Sequence, residues 1–111
     1  MDFWNTWCAP CRASIKAAEP QKSGELKSDS LVWLYIADES SPLVTYKQMV
    51  SEIQGVHYRL TKAQCDYVCD KFGIRAIPSY VLVDKAGKYG LRNDLRDHWT
   101  MRRVLRDELE K

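Results

Sequence analysis

The sequence predicts an α/β fold in which helices cover both faces of a central mixed β-sheet. Continuous apolar runs, typical of strands that are buried on both faces, occur at residues 31–37 and 80–83. Segments with apolar residues at helical spacing lie between and beyond these runs. Such alternation of strands and helices along a chain is typical of a sheet enclosed by helices.

The first half of the chain predicts two strands and two helices. In order, they are a strand within Met1–Asn5, a helix from about Cys8 to about Leu26, a strand at Leu31–Ala37, and a helix that starts at Ser41-Pro42 and ends at Gly55. Asn5 or Thr6 is expected to cap the first helix, and Pro20 is expected to kink or split it. The inward face of that helix is expected to carry Cys11, Ile15 and Ala18.

The second half predicts a short strand, a helix, a hairpin and a final helix. These are His57–Leu60, a helix from the cap Thr61 to Gly73, strands Tyr80–Val83 and Lys88–Leu91, and a helix from about Trp99 to Glu110. Thr61 and Gln64 match a capping box, and Asp84–Gly87 has the residues of a turn. The aromatic residues expected in the core are Trp4, Trp33, Tyr35, Tyr46, Tyr58 and Phe72.

Length and charge narrow the function classes. The 111 residues fit one domain, and 17 basic against 15 acidic residues leave a net charge of +2. This near-balance gives no reason to expect a nucleic-acid partner. No apolar run is long enough to span a bilayer. Because residues 1–4 already predict a strand that leads into a cysteine motif, we expect an N-terminal strand or a longer upstream region to be missing.

Cys8 and Cys11 lie where a predicted strand gives way to a helix, with two residues between them. Such a dithiol can close into a disulfide, and the free N–H groups and positive dipole end of the helix favour a thiolate at Cys8. Cys8 lies outside the apolar stripe of the helix and is expected to be exposed, whereas Cys11 is expected to be shielded. This asymmetry suits thiol–disulfide exchange, in which Cys8 attacks and Cys11 resolves the mixed disulfide.

Other arrangements of the four cysteines stay open at this point. The first pair alone would also fit a permanent disulfide or half of a metal site. Cys65 and Cys69 are four residues apart on a predicted helix, where Cβ atoms are about 5–6 Å apart, too far for an undistorted disulfide. Their apolar stripe predicts buried free thiols, with a redox-sensitive thiol at Cys65 as the alternative. A zinc site from all four cysteines would need a shorter gap between the pairs.

The segment Asp2–Arg12 (DFWNTWCAPCR) closely resembles the active-site signature of the thioredoxin family, with the acid, both tryptophans and the inter-cysteine proline in place. Gly73–Tyr80 resembles the family's segment that leads to its cis-proline, and Val81–Lys88 resembles the hairpin that follows. The resemblance covers nearly the whole chain. The extra helix and strand within Pro42–Leu60 are similar to the TlpA/ResA-type branch, which comprises extracytoplasmic, often membrane-tethered bacterial thiol–disulfide reductases.

The resemblance implies roles for residues around the dithiol. Asp2 matches the buried acid that helps to move the proton of the resolving cysteine, and so would act as a base for Cys11. Pro78 matches the cis-proline beside the dithiol, and Ile77 would then offer its backbone groups to an extended substrate peptide. The expected substrate contacts are Trp7, Ala9, Pro10, Ile77 and Pro78.

One short segment departs from the branch. A glutamate and a proline commonly follow its second cysteine, whereas Ser14, Ile15 and Lys16 stand there in this chain. Because of this departure, we do not assign to this chain the dedicated substrates of the branch, such as apocytochromes.

Together, the residues and the resemblance predict a thioredoxin-like thiol–disulfide oxidoreductase that works as a protein-disulfide reductase. Its expected partners are protein clients with disulfides or dithiols and an upstream thiol electron donor. No organic cofactor or metal is implied. The resemblance implies a periplasmic or otherwise extracytoplasmic place in a bacterium, with a membrane tether in the full-length protein. The alternative function is a non-catalytic thioredoxin-fold module that binds a protein partner.

Overall fold

A five-stranded mixed sheet, in the order β3-β2-β1-β4-β5, forms the centre of the protein in a computed structural model that describes residues 1–111. The strands are β1 (Asp2–Phe3), β2 (Leu34–Asp38), β3 (Val56–Leu60), β4 (Ser79–Val83) and β5 (Tyr89–Leu91). The helices are α1 (Ala9–Lys22), α2 (Leu43–Val50), α3 (Lys62–Phe72), a 3₁₀ turn at Asn93–Arg96, and α4 (His98–Leu109). The predicted fold class is confirmed.

The short strand β1 lies in the middle of the sheet. It runs parallel to β2, with Asp2 opposite Tyr35, and antiparallel to β4, with Asp2 opposite Tyr80. The sheet continues outward through the parallel pair β2–β3 and the antiparallel pair β4–β5. A strand with neighbours on both sides has a fixed register, and β1 leads directly into the cysteine motif. The sheet therefore sets the position of the motif.

Side chains alternate between the two faces of the sheet, as strand geometry requires. On one face, Phe3, Ile36 and Val81 are buried against Val68 and Phe72 of α3. The opposite face packs against the other three helices. Its buried residues form two clusters, which include Trp4, Tyr35, Ala37 and Tyr46 on one side and Ala18, Tyr80, Met101 and Leu105 on the other.

Helix α1 begins one residue later than predicted and ends at Lys22. Its cap is Cys8, so the prediction of Asn5 or Thr6 as the cap is wrong. The side chain of Asn5 instead accepts hydrogen bonds from Asp38, at the end of β2, and from Ser41, in the loop after β2. The predicted inward face of the helix, including Cys11, is buried. Pro20 does not split the helix, which continues for two further residues.

Several boundaries in the middle of the chain differ from the prediction. Strand β2 starts at Leu34 and not at Leu31, because pairing with β1 and β3 begins only there. Ser41 does not cap α2. Its buried hydroxyl group forms hydrogen bonds with Asn5 and Thr6, in the loop before α1, instead. Gly55 lies beyond the end of α2, at the entry to β3. Tyr58 is 54 % exposed on the edge strand β3, so its assignment to the core is wrong.

The second half follows the sequence more closely. The capping box of α3 is present, with the Thr61 hydroxyl accepting from the N–H of Gln64, and Gly73 ends the helix in the left-handed conformation. The Asp84 carboxylate accepts two backbone N–H groups and closes the hairpin. Asp97 caps α4, and the 3₁₀ turn before it was not predicted. None of the helices combines the length and the apolar character that a membrane span requires.

Gly55 provides a test of the packing between β3 and β2. Its φ is +142°, and a Cβ there would lie 2.6 Å from the carbonyl oxygen of Trp33. We expect Gly55→Ala to lower the free energy of unfolding by about 1–3 kcal/mol, from backbone strain and steric overlap. Gly90→Ala, where a Cβ meets nothing within 4 Å, should change it by less than about 0.5 kcal/mol. Urea unfolding measures both, and equal effects would contradict the assignment.

Candidate redox site

Cys8 and Cys11 are joined by a disulfide at the first turn of α1, with their Cα atoms 5.2 Å apart. Cys8 is the N-cap of the helix, and its Sγ accepts a hydrogen bond of 3.3 Å from the N–H of Cys11. Pro10 occupies the first turn, where its missing N–H leaves no helix bond unmade. The helix N-terminus therefore directs a backbone donor at the sulfur of Cys8.

Cys8 is less exposed than the sequence predicted. Its side chain turns inward to cap the helix, which leaves the residue 5 % exposed, whereas Cys11 is completely buried. The expectation of an exposed Cys8 is therefore wrong. Its chain neighbours Trp7 and Ala9 are exposed, so Cys8 lies at the boundary of the molecule. Of the two cysteines, Cys8 is the more exposed.

A buried polar network fixes the loop between β1 and α1. The Oδ1 of Asn5 accepts hydrogen bonds from the Ser41 hydroxyl, at 2.7 Å, and from the N–H of Asp38, at 3.1 Å. The Ser41 hydroxyl oxygen in turn accepts the N–H of Thr6, at 2.9 Å. Sequence reasoning assigned Asn5 and Ser41 to helix caps and missed this network. Both are small polar residues beside strand ends, but nothing in the sequence pairs them.

Trp7 presents a large exposed surface next to the disulfide. It is 60 % exposed, and its Nε1 donates a hydrogen bond of 2.8 Å to the Ser40 hydroxyl. Ser40 is itself held by the Asp38 carboxylate, which accepts both its N–H and its hydroxyl. The indole is therefore fixed in place although most of it faces solvent. Pro10 and Ala9 continue the exposed surface along the start of α1.

The segment before β4 reaches the disulfide from the other side. The Ile77–Pro78 peptide bond is cis, and the carbonyl oxygen of Ile77 lies 4.0 Å from the Sγ of Cys8. Neither the N–H nor the carbonyl of Ile77 takes part in a backbone hydrogen bond. The carbonyl of Pro78 accepts from the Arg96 guanidinium, and Ser79 is fully buried. A strand-like backbone with free hydrogen-bonding groups thus borders the disulfide.

Asp2 is a buried acid in the central strand. Burial raises the pKa of its carboxyl group to about 7, although the N-terminal ammonium group and Lys22 act in the opposite direction. Its Oδ1 is buried and has no hydrogen-bond partner. The structure gives no direct hydrogen bond between Asp2 and Cys11. A carboxyl group with this pKa can gain or lose a proton near neutral pH, and its role toward the resolving sulfur stays a prediction.

The second cysteine pair lies away from the dithiol, on α3. Cys65 and Cys69 are free thiols whose Sγ atoms are 3.8 Å apart. Each is half-buried, so the expectation of buried thiols is wrong in extent. Burial raises the pKa of Cys65 to about 12 and also raises that of Cys69. A high thiol pKa disfavours the reactive thiolate, which argues against the alternative of a redox-sensitive Cys65.

Comparison with known proteins agrees with this geometry. A family model described as Thioredoxin-like matches residues 1–89. The chain belongs to the Thioredoxin-like family. The match includes the disulfide, Ile77 and Pro78, and leaves α4 outside. Membership of the thioredoxin superfamily was predicted from the sequence and is confirmed.

A curated protein supports the predicted branch of the thioredoxin superfamily. The chain is 26 % identical over 88 residues to "Thiol-disulfide oxidoreductase ResA" of Halalkalibacterium halodurans. The alignment covers 79 % of this chain but 48 % of that protein, so the chain spans about half the length of its relative. No solved structure matches the chain. The name of this relative agrees with the ResA/TlpA type that the resemblance predicted.

The raised pKa of Asp2 predicts how stability depends on pH in this thioredoxin-like domain. The folded protein holds the proton up to about pH 7, whereas an unfolded chain releases it near 3.8. The free energy of unfolding should therefore fall as pH rises from about 4 to about 7, by roughly 4 kcal/mol at most. Asp2→Asn cannot ionise and should gain stability relative to wild type over that interval. Urea unfolding of both at several pH values measures this, and a constant difference would contradict it.

Proposed function

We propose that this domain is a thiol–disulfide oxidoreductase in which Cys8 exchanges disulfides with protein clients and Cys11 resolves the mixed disulfide. The observation that carries the proposal is the Cys8–Cys11 disulfide at the N-terminus of α1, with the Ile77 carbonyl 4.0 Å from the Cys8 sulfur. The similarity to a thiol–disulfide oxidoreductase supports the same chemistry.

The cap geometry supports an ionised Cys8 in the reduced protein. The N–H of Cys11 already points at the Cys8 sulfur, and no acidic residue stands in the first turn of α1. A helix N-terminus of this kind stabilises negative charge, and thiols placed there have pKa values well below that of free cysteine. Cys8 would therefore be the attacking thiolate. Cys11, which is fully buried, would then attack the Cys8 sulfur of the mixed disulfide, so that the Cys8–Cys11 bond forms and the client leaves as a thiol.

The free backbone groups of Ile77 support a mode of client binding. A client segment in extended conformation would pair its main chain with the N–H and carbonyl of Ile77, as an added strand. Its disulfide would then lie beside Cys8, while neighbouring side chains rest on Trp7, Ala9 and Pro10. Backbone pairing depends little on client sequence, so this surface would accept many unfolded or flexible clients.

Asp2 would carry the proton of the resolving cysteine. Its pKa of about 7 allows the carboxyl group to accept and return a proton near neutral pH. Because no direct hydrogen bond joins Asp2 to Cys11, one water molecule would complete the path. The unpartnered Oδ1 offers the acceptor that such a water needs.

We further propose that the domain works as a reductant, in an extracytoplasmic compartment of a bacterium, and that a thiol donor renews its dithiol. Both proposals rest on the similarity to the ResA/TlpA type. Reduction of clients outside the cytoplasm requires such a donor, because that environment favours disulfides. The alternative function, a binding module without redox activity, would keep the surface at Ile77 and Trp7 but make no use of the two sulfurs.

Reduction of insulin by dithiothreitol tests the activity. We expect the wild-type domain to accelerate the reaction and Cys8→Ser to fall to the rate of dithiothreitol alone, because the attacking sulfur is gone. Cys11→Ser should accumulate a mixed disulfide with the client, since nothing resolves it. Cys65→Ser is the matched control and should keep the wild-type rate. If Cys8→Ser is as fast as wild type, the binding module is the better description.

The direction of electron flow has its own test. Equilibration with glutathione redox buffers, followed by alkylation and mass analysis, gives the reduction potential of the Cys8–Cys11 couple. A reductant should have a value nearer to about −270 mV, as in thioredoxin, than to about −120 mV, as in the oxidant DsbA. A value at the oxidising end would reverse the proposed direction while leaving the exchange chemistry intact.

A further inference from the structure

Helix α3 carries a second pair of thiols that the exchange chemistry does not use. Cys65 and Cys69 are one helical turn apart, and their sulfurs are 3.8 Å from each other, close enough for an S–H···S contact. The turn that bears Cys65 is held by the complete capping box of Thr61 and Gln64. Both residues are half-buried, so reagents can reach them. The pair is a preformed dithiol on a rigid element.

The helix opposes a disulfide at this position. A disulfide bond needs the sulfurs about 2.05 Å apart and Cβ atoms at about 3.5–4.5 Å, whereas residues four apart on a helix have Cβ atoms at about 5–6 Å. Closing the bond would require part of the capped helix to unwind. A single atom that lies between the two sulfurs can bond to both while they stay apart. Its binding therefore does not require the helix to unwind.

The surroundings of Cys65 and Cys69 narrow the kinds of atom that could bond to both sulfurs. A metal ion such as Zn²⁺ or Cu⁺ takes both ligands as thiolates. Here burial opposes ionisation of both sulfurs, and the carboxylates of Asp38 and Asp66 oppose it further. Structural Zn²⁺ sites use about four protein ligands, and no group of three or more His, Cys, Asp or Glu side chains in the protein could hold a metal ion. A ligand that needs two sulfurs and no further protein group fits the pair.

We propose that Cys65 and Cys69 form a binding site for a trivalent arsenical, a thiophilic species whose bis-thiol adduct is neutral. With phenylarsine oxide, the two S–H bonds and the As–O bond break, two As–S bonds form, and both thiol protons leave with the oxygen as one water molecule. Arsenic stays trivalent, so no oxidant or reductant takes part. The site is independent of the Cys8–Cys11 couple and of the function proposed for it.

The wild-type domain, with Cys8–Cys11 kept oxidised, is the sample for the test. After titration with phenylarsine oxide and removal of the excess, native mass spectrometry should show one arsenical per chain, and a thiol assay should show both free thiols lost. Iodoacetamide followed by peptide mapping should find Cys65 and Cys69 protected together. A wild-type domain that binds no arsenical would overturn the proposal. So would a starting protein two hydrogens lighter than the chain with the Cys8–Cys11 disulfide alone, because Cys65 and Cys69 would then already form a disulfide.

Single substitutions test the requirement for both sulfurs. Because one thiol holds the arsenical far more weakly than two, Cys65→Ser and Cys69→Ser should each weaken binding on the order of 100-fold. The double variant Cys8→Ser/Cys11→Ser should still bind one equivalent, and loss of binding there would place the site at the redox pair instead. Circular dichroism checks that each variant is folded. Should a serine variant unfold, protection of both cysteines in the wild-type peptide map still decides the question.

Discussion

The fixed junction between β1 and α1 is the constraint on which the rest of this structure depends. Asn5, Ser41 and the N–H of Thr6 form a buried hydrogen-bonded chain between the end of the central strand and the loop after β2. Buried polar groups are costly unless they are paired, so this loop has few other arrangements. It places Cys8 at the first turn of α1 and leaves Trp7 facing solvent. The redox site is a consequence of how one loop satisfies its polar groups.

Much of the fold follows from periodicity and cap residues, because these signals are local. The box at Thr61 and Gln64 and the left-handed Gly73 bound α3 as the sequence indicates. The start of β2 does not follow, because Leu31–Trp33 is as apolar as the strand itself and only the partner strands decide where pairing begins. The exposure of Tyr58 likewise depends on β3 lying at the edge of the sheet, which the sequence of β3 does not state.

The candidate site shows the same division. The two cysteines and the proline between them form one short motif, and Ile77–Pro78 lies more than sixty residues further along the chain. Only the resemblance to a known family linked these two segments before the structure did. The inward turn of Cys8 was missed, because a cysteine is an uncommon N-cap and periodicity alone places it on the outer side of the helix. The network at Asn5 joins residues more than thirty positions apart, and single-sequence reasoning has no signal for such a pair.

The two cysteine pairs show how one residue type acquires different chemistry from its place on a helix. Cys8 and Cys11 span the N-terminus, where the backbone supplies a donor and the dipole favours an anion, so sulfur there suits attack and exchange. Cys65 and Cys69 lie within a helix, where every turn is already bonded and carboxylates of Asp38 and Asp66 add negative field. Cys8 and Cys11 are three positions apart and form a disulfide. Cys65 and Cys69 are four positions apart on a regular helix, and their sulfurs stay 3.8 Å from each other. The first pair therefore suits the proposed disulfide exchange, whereas the second suits the proposed ligand that bonds to two sulfurs held apart.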